Sequence, residues 1–183
     1  MTITEELHNL PVGELAIIGM RGCEEICEKI NQYLVTWRKD VIKKGYVADT
    51  LIYEYNRDSY MIDVRCPRFG SGEAKGIINE TIRGYDLYII SDCFNYGVTY
   101  RMYGQDVPMS PDDHFQDLKR IISACAGKPR KITVIMPMLY ESRQHRRSAR
   151  ESLDCALGLQ ELVALGVDNI ITFDAHDARV QNA

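Results

Sequence analysis

Hydrophobic positions recur along this chain in two alternating rhythms. Residues 13–20, GELAIIGM, form a short apolar run closed by Gly19 and the Arg21-Gly22 pair, as a buried strand would be. From Cys23 to Lys44 apolar residues return every three or four positions, at Ile26, Ile30, Leu34, Trp37 and Val41. That spacing predicts an amphipathic helix with this face inward and Gly45 as its stop. Residues 47–55 (VADTLIYEY) and 60–66 (YMIDVRC) flank a turn-forming NRDS and predict a hairpin. The glycine-rich RFGSGEAKG after Pro67 predicts a loop, and YDLYIIS, 85–91, another strand.

The second half of the pattern is sharper. Ser110 is placed as an N-cap, Pro111 as the first helical residue, and acidic residues fill the first turn. Leu118, Ile121, Ile122 and Cys125 give this helix its inner face, and Gly127 closes it. Residues 131–139, KITVIMPML, predict a nearly continuous apolar strand. Ser148 and Glu151 stand at capping-box spacing before LDCALGLQELVAL, with Gly166 as the stop. That helix is apolar almost all round, which predicts deep burial. Residues 167–173 predict a last strand. Strand and helix alternate, so the expected fold is one α/β domain with a mainly parallel sheet.

Composition narrows the function classes. A chain of 183 residues suits one domain and can bury a sizeable core without staples. With 22 Lys+Arg against 26 Asp+Glu the net charge is −4, which argues against general nucleic-acid or membrane-surface binding. The six cysteines, at 23, 27, 66, 93, 125 and 155, show neither CxxC nor zinc-ligand spacing and read as reduced thiols of an intracellular, cytoplasmic protein. The start, MTITEELHNL, lacks the basic and apolar regions of a secretory leader, and no apolar run reaches membrane-spanning length. His8 and His114 are expected at the surface.

Three polar clusters each follow a predicted strand: FGSGE (69–73), SRQHRR (142–147) and DAHD (174–177). Ligands in open α/β sheets bind beyond the carboxyl ends of the strands, so all three are expected along one edge. Arg143, Arg146, Arg147 and Arg150 fall within eight positions with no acidic residue among them, and Arg143 to Arg147 immediately precede the expected helix N-cap. Such a cluster suits a polyphosphate, whose oxygens guanidinium groups clamp bidentately. The plainer alternative is a solvated turn paired with Glu141 and Glu151. Asp174 and His176 share a side of an extended backbone and suit a divalent cation, or His176 simply bonds Asp174 to order the turn. Phe69 beside Glu73 suits adenine by stacking and hydrogen bonding, or Phe69 is core. The glycines at 70, 72 and 76 give GxGxxxG rather than the dinucleotide fingerprint.

Taken together, the motifs resemble the ribose-phosphate pyrophosphokinases, also called phosphoribosyl-pyrophosphate synthetases. FGSGE is similar to that family's Phe-x-Asp-Gly-Glu loop, and ETIRGYDLYIIS (80–91) to its Glu-Ser-Val-Arg-Gly-x-Asp-Val strand. RQHRR is similar to Arg-Gln-Asp-Arg/Lys-Lys, and ITFDAHD to Ile-Thr-x-Asp-Leu-His-Ala, in the family's order from about residue 67 to the end. The resemblance implies a phosphoribosyltransferase-like three-layer fold. It also implies a reaction, Mg²⁺-dependent transfer of diphosphate from ATP to ribose 5-phosphate, giving phosphoribosyl pyrophosphate and AMP. By position it assigns Phe69, Ser71 and Glu73 to adenine, from the same or a neighbouring subunit, and Arg143 and Gln144 to ATP. Asp174 and His176 fall to the Mg²⁺–phosphate site, and Thr81 and Arg83 to a regulatory phosphate site between subunits of a homo-oligomer.

Departures accompany the likeness. Ser71 stands where the family has Asp, His145 where it has Asp, and Asp177 where it has Ala. The stretches Trp37 to Arg65 and Asp92 to Lys128 are longer than usual. Neither the family's ribose-5-phosphate loop nor its flexible basic loop is found in residues 1–183, so the chain is expected to be an ATP-binding N-terminal half, without the C-terminal domain and inactive alone. A non-catalytic regulatory member of the family, or a small RNA- or anion-binding module, are the alternatives.

Overall fold

The computed structural model describes residues 12–182. In chain order its elements begin with β1 (Leu15–Gly19), α1 (Glu24–Lys43), a 3₁₀ turn (Asp49–Leu51), α2 (Ile52–Tyr55), β2 (Val64–Arg65) and β3 (Ile77–Ile78). There follow β4 (Asp86–Ile90), β5 (Thr99–Met102), β6 (Gln105–Pro108), α3 (Pro111–Cys125), β7 (Lys131–Met138), α4 (Asp154–Ala164) and β8 (Asn169–Asp174). Four strands form one parallel sheet in the order β1-β4-β7-β8, while β2-β3 and β5-β6 are separate antiparallel pairs.

Alternation along the parallel strands divides the core into two layers of contact. Ala16 and Ile18 of β1, Leu87 and Ile89 of β4, and Ile132, Val134 and Met136 of β7 pack with Leu118, Ile121 and Ile122 of α3 and Cys155 and Leu162 of α4. Ile17 and Ile90 face the other way, against Cys27, Ile30 and Leu34 of α1. One helix covers one face and two cover the other, giving the expected three-layer α/β arrangement. α3 starts as its sequence predicts: Ser110 Oγ accepts from Asp113 N and the Asp113 side chain accepts from Ser110 N, a reciprocal cap with Pro111 behind it.

Several expectations are corrected. Residues 47–66 do not make a hairpin. Residues 49–55 coil into a 3₁₀ turn and α2, because Glu54 is drawn inward to pair with buried Arg38 and to accept from Leu15 N at 3.1 Å. Tyr60 to Ile62 instead lie along β1, bonded through Ile17 N to Tyr60 O and Ile62 N to Ile17 O. The inner stripe of α1 is rotated from the expected one. Cys27, Asn31 and Arg38 are buried while Ile26 and Trp37 are exposed, because Asn31 accepts from Tyr60 N and Arg38 needs Glu54. The helix α4 begins at Asp154 with no side-chain cap; Ser148 and Glu151 close only a local turn, through Ser148 N to Glu151 Oε2. Nor is α4 buried all round, since Leu157 and Val163 are exposed. His114 is buried rather than superficial, its Nε2 lying 2.9 Å from Asn95 O. His8 lies outside the described residues.

All six cysteines are buried and unpaired. Burial pushes the Cys23 thiol up to about 11 and the Cys27, Cys66, Cys93 and Cys125 thiols up to about 12, so they stay protonated and unreactive. Native chain at pH 8 should therefore resist iodoacetamide and take it up only on unfolding, counted by intact-mass spectrometry. Rapid labelling of a native cysteine would refute the packing described. The raised thiols also tie stability to pH: it is intact below the unfolded thiol value near 9 and declines as pH rises towards the folded values.

Candidate functional site

The strands β7 and β8 end side by side, with Met138 in register with Asp174. The segments that leave them are therefore bound to meet. Leu139 N donates to Asp174 O at 2.9 Å, and the buried Ser142 hydroxyl accepts from His176 N at 3.3 Å. His145 projects into the same junction: its Nδ1 lies 3.1 Å from Ser142 O, its ring 6.0 Å from that of His176, and its Nε2 3.8 Å from Asp177 Oδ2. Hydrogen bonds from the Arg179 side chain and then its backbone hold the Asp177 carboxyl well below the usual carboxylate range, so it is anionic at neutral pH.

The basic cluster is presented by the loop between β7 and α4. Gln144 shapes this loop from within. Its N donates to Glu141 O, its carbonyl accepts from Cys155 N in the first turn of α4, and its side-chain amide donates to Ser152 O at 2.8 Å. Residues 148–153, with Arg150 among them, thus stand between Arg147 and α4, which corrects the expectation that Arg143 to Arg147 lead directly into the helix. Arg143, Arg146, Arg147 and Arg150 are exposed. Among the described residues none of the four lies within 4.0 Å of a carboxylate oxygen, so the turn is not neutralised by Glu141 or Glu151.

The donor set at β8 bears on a metal. The Asp174 carboxylate is exposed and accepts no hydrogen bond among the described residues, and His176 follows two positions later, also exposed. No three His, Cys, Asp or Glu side chains converge as a cage among the described residues. One free carboxylate suits Mg²⁺, which is held through one or two carboxylates plus phosphate oxygens and water.

The third cluster lies elsewhere. Residues 69–73 do not leave the parallel sheet but close a tight turn between Arg68 and Ala74, with Phe69 N donating to Glu73 O at 2.7 Å and Gly72 N to Phe69 O at 2.9 Å. Gly72 sits at φ 92°, where a Cβ would fall 2.7 Å from Met102 Sδ. Phe69 is exposed rather than core, and Ser71 Oγ donates to Glu73 Oε2 at 2.8 Å. Arg68 anchors the turn: it forks onto Asp117 of α3 at 2.8 and 2.9 Å and stacks 4.6 Å from the centre of the Tyr100 ring. Among the described residues no hydrogen bond or ion pair joins this loop to 139–147 or 174–177. The structure thus brings together two of the three expected clusters and sets the third against the β5–β6 hairpin. Thr81 and Arg83, both exposed, line a cavity of about 210 Å³ with Lys128.

Sequence reasoning missed Ser142, Arg68 and the whole β5–β6 hairpin. The first two carry no motif, but TYRM and QDVP around Tyr103-Gly104 do carry a hairpin signal, since Gly there supports a tight two-residue turn.

Comparison with known proteins places this architecture. The family model described as the N-terminal domain of ribose phosphate pyrophosphokinase matches residues 15–166, a range that includes Phe69, Arg143 and Gln144 but stops before Asp174. The chain is 32% identical over 118 residues to a ribose-phosphate pyrophosphokinase of Parasynechococcus marenigrum, covering 63% of this chain and 31% of that one. It is 31% identical over 121 residues to ribose-phosphate pyrophosphokinase 1 of Schizosaccharomyces pombe, covering 65% and 26% respectively. The matched region thus spans about a third or less of these curated relatives. A crystal structure of phosphoribosylpyrophosphate synthetase from Mycobacterium smegmatis superposes with a TM-score of 0.62 at 20% identity, over 92% of this chain and 45% of that chain, which shows the shared fold. From the extent of the family match and the fold it accompanies, the chain belongs to the family of the ribose phosphate pyrophosphokinase N-terminal domain.

Proposed function

We propose that this chain is the nucleotide-holding N-terminal half of an enzyme that transfers diphosphate from ATP to ribose 5-phosphate, giving phosphoribosyl pyrophosphate and AMP. The observation that carries the reading is the set of four exposed arginines without carboxylate partners beside the Ser142–His176 junction. Unpaired guanidinium groups at a strand's carboxyl end are available to a polyphosphate, and their attraction strengthens as negative charge builds on the leaving group. In this reading Arg143 binds the phosphates, and Gln144 contributes chiefly by holding the loop in shape. His176 donates to a phosphate oxygen and Asp174 offers its carboxylate to Mg²⁺. When bound, Mg²⁺ neutralises charge on the phosphoryl oxygens. Phe69, Ser71 and Glu73 take the adenine, and because their loop lies apart from the arginines, a neighbouring copy in a homo-oligomer is the natural recipient. Thr81 and Arg83 take a regulatory phosphate. Ribose 5-phosphate is held by residues beyond this chain, which alone would be inactive, and its reduced thiols suit a cytoplasmic setting.

Calorimetric titration with ATP, with and without Mg²⁺, tests this. Saturable, Mg²⁺-sensitive binding is expected, with Arg143→Ala weakening it roughly 10- to 100-fold, the range for one charge-assisted contact. Absence of binding at millimolar ATP in both conditions would sink the proposal. A non-catalytic family member is the second reading, favoured by the Ser71–Glu73 bond, which satisfies within the chain a position where the family carries Asp. Synthetase activity of the full-length protein would eliminate it.

A further inference from the structure

The hairpin formed by β5 and β6 ends in an unfavoured residue. Tyr103 and Gly104 form its turn at φ 47° and 80°. Two consecutive positive φ values suit Asn, Asp or Gly at the first position, and a bulky side chain there is an outlier. Tyr103 gains little within the chain in return, since it is 78% exposed. Its place is nevertheless fixed. Tyr103 N donates to Gly70 O at 3.3 Å, the Gly72 backbone lies under Met102 and Tyr100, and Arg68 stacks on Tyr100. The hairpin tip is thereby held against the turn that carries Phe69, a residue 54% exposed.

We propose that Tyr103 is a second nucleobase-contacting residue, flanking with Phe69 the purine of the bound nucleotide. This rests on the assignment of residues 69–73 to the base under Proposed function. An exposed ring in a strained backbone position, tethered to a turn that carries another exposed ring, is explained by a flat ligand that covers both. Stacking on one aromatic side chain typically changes affinity roughly 5- to 100-fold.

The test uses ATP and inorganic triphosphate as parallel probes on the full chain, at concentrations where any oligomer is assembled. Tyr103→Asn removes the ring and relieves the backbone, so the melting temperature should hold or rise. Its ATP dissociation constant should rise roughly 5- to 100-fold while that for triphosphate stays unchanged, and Tyr103→Trp should bind ATP as the unchanged chain does. ATP binding that survives in Tyr103→Asn but is lost in Phe69→Ala would overturn this inference alone. So would equal losses for ATP and triphosphate in Tyr103→Asn. If neither substitution affects ATP, the assignment of the loop to the base falls as well, and if the unchanged chain binds no ATP, the proposed function falls with both.

Discussion

Replacing Asp117 with alanine is expected to lower the free energy of unfolding by about 3–5 kcal/mol, the usual consequence of unpairing a buried charge. The Arg68 and Asp117 side chains are only 5% and 3% exposed. Arg120 reaches the same carboxylate at 2.6 Å, so one carboxylate pairs with two guanidinium groups. Without it, Arg68 would have to stay charged in a dry site or swing out, dragging the turn at 69–73 with it. For a domain of this size the loss corresponds to a fall in melting temperature on the order of 10 °C. Hydrogen exchange should show the amides of Phe69 and Gly72 losing protection well before the core strands do. A melting temperature within about 2 °C of the parent would mean that the pair is not closed as described. The double substitution Arg68→Met, Asp117→Leu should recover much of the loss, because the deeply buried cation goes with its partner and Arg120, whose side chain is 22% exposed, can turn to water.

Glu54→Ala should have an effect of similar size, about 3–5 kcal/mol, for a related reason. Arg38 lies between the Tyr55 and Tyr60 rings, at 4.3 and 4.7 Å from their centres, with Glu54 as its carboxylate. Glu54 also satisfies Leu15 N at the start of β1. Alanine would leave both a cation and a backbone donor without partners. Glu54→Gln keeps an acceptor for each and should cost clearly less. Urea unfolding separates two outcomes. A lower midpoint with an unchanged m value means that the cluster is part of the cooperative unit, whereas a lower m value means that residues 44–62 detach by themselves.

What the sequence made legible follows from where local chemistry and tertiary demand agree. At α3 the Ser110-Pro111 start, acidic first turn and apolar stripe all call for the same helix, and it forms as read. β7 is apolar enough to be covered on both faces, and none of its residues is exposed. Residues 47–55 failed because their β-like alternation is outweighed by one long-range requirement, the pairing of Glu54 with Arg38. The α1 stripe failed for the same reason, since burial there is set by polar residues that find partners rather than by hydrophobicity. At the candidate site, the adjacency of 139–147 and 174–177 was readable because both follow strands of one parallel sheet. The loop at 69–73 was misplaced because its preceding strand belongs to a two-stranded pair, which no periodicity distinguishes from a sheet strand.

The segment laid along β1 has a further consequence. Parallel sheets offer two lateral rows of unpaired amide and carbonyl groups, and a row left open is a template for another chain. Here Tyr60 to Ile62 occupy the β1 side, while within the described residues β8 pairs only with β7. Polymerisation by strand addition needs a donor margin and an acceptor margin on every copy. With one margin of the parallel sheet covered, that sheet can extend into a second copy only β8 to β8 across a two-fold axis, and that pairing closes on itself instead of propagating.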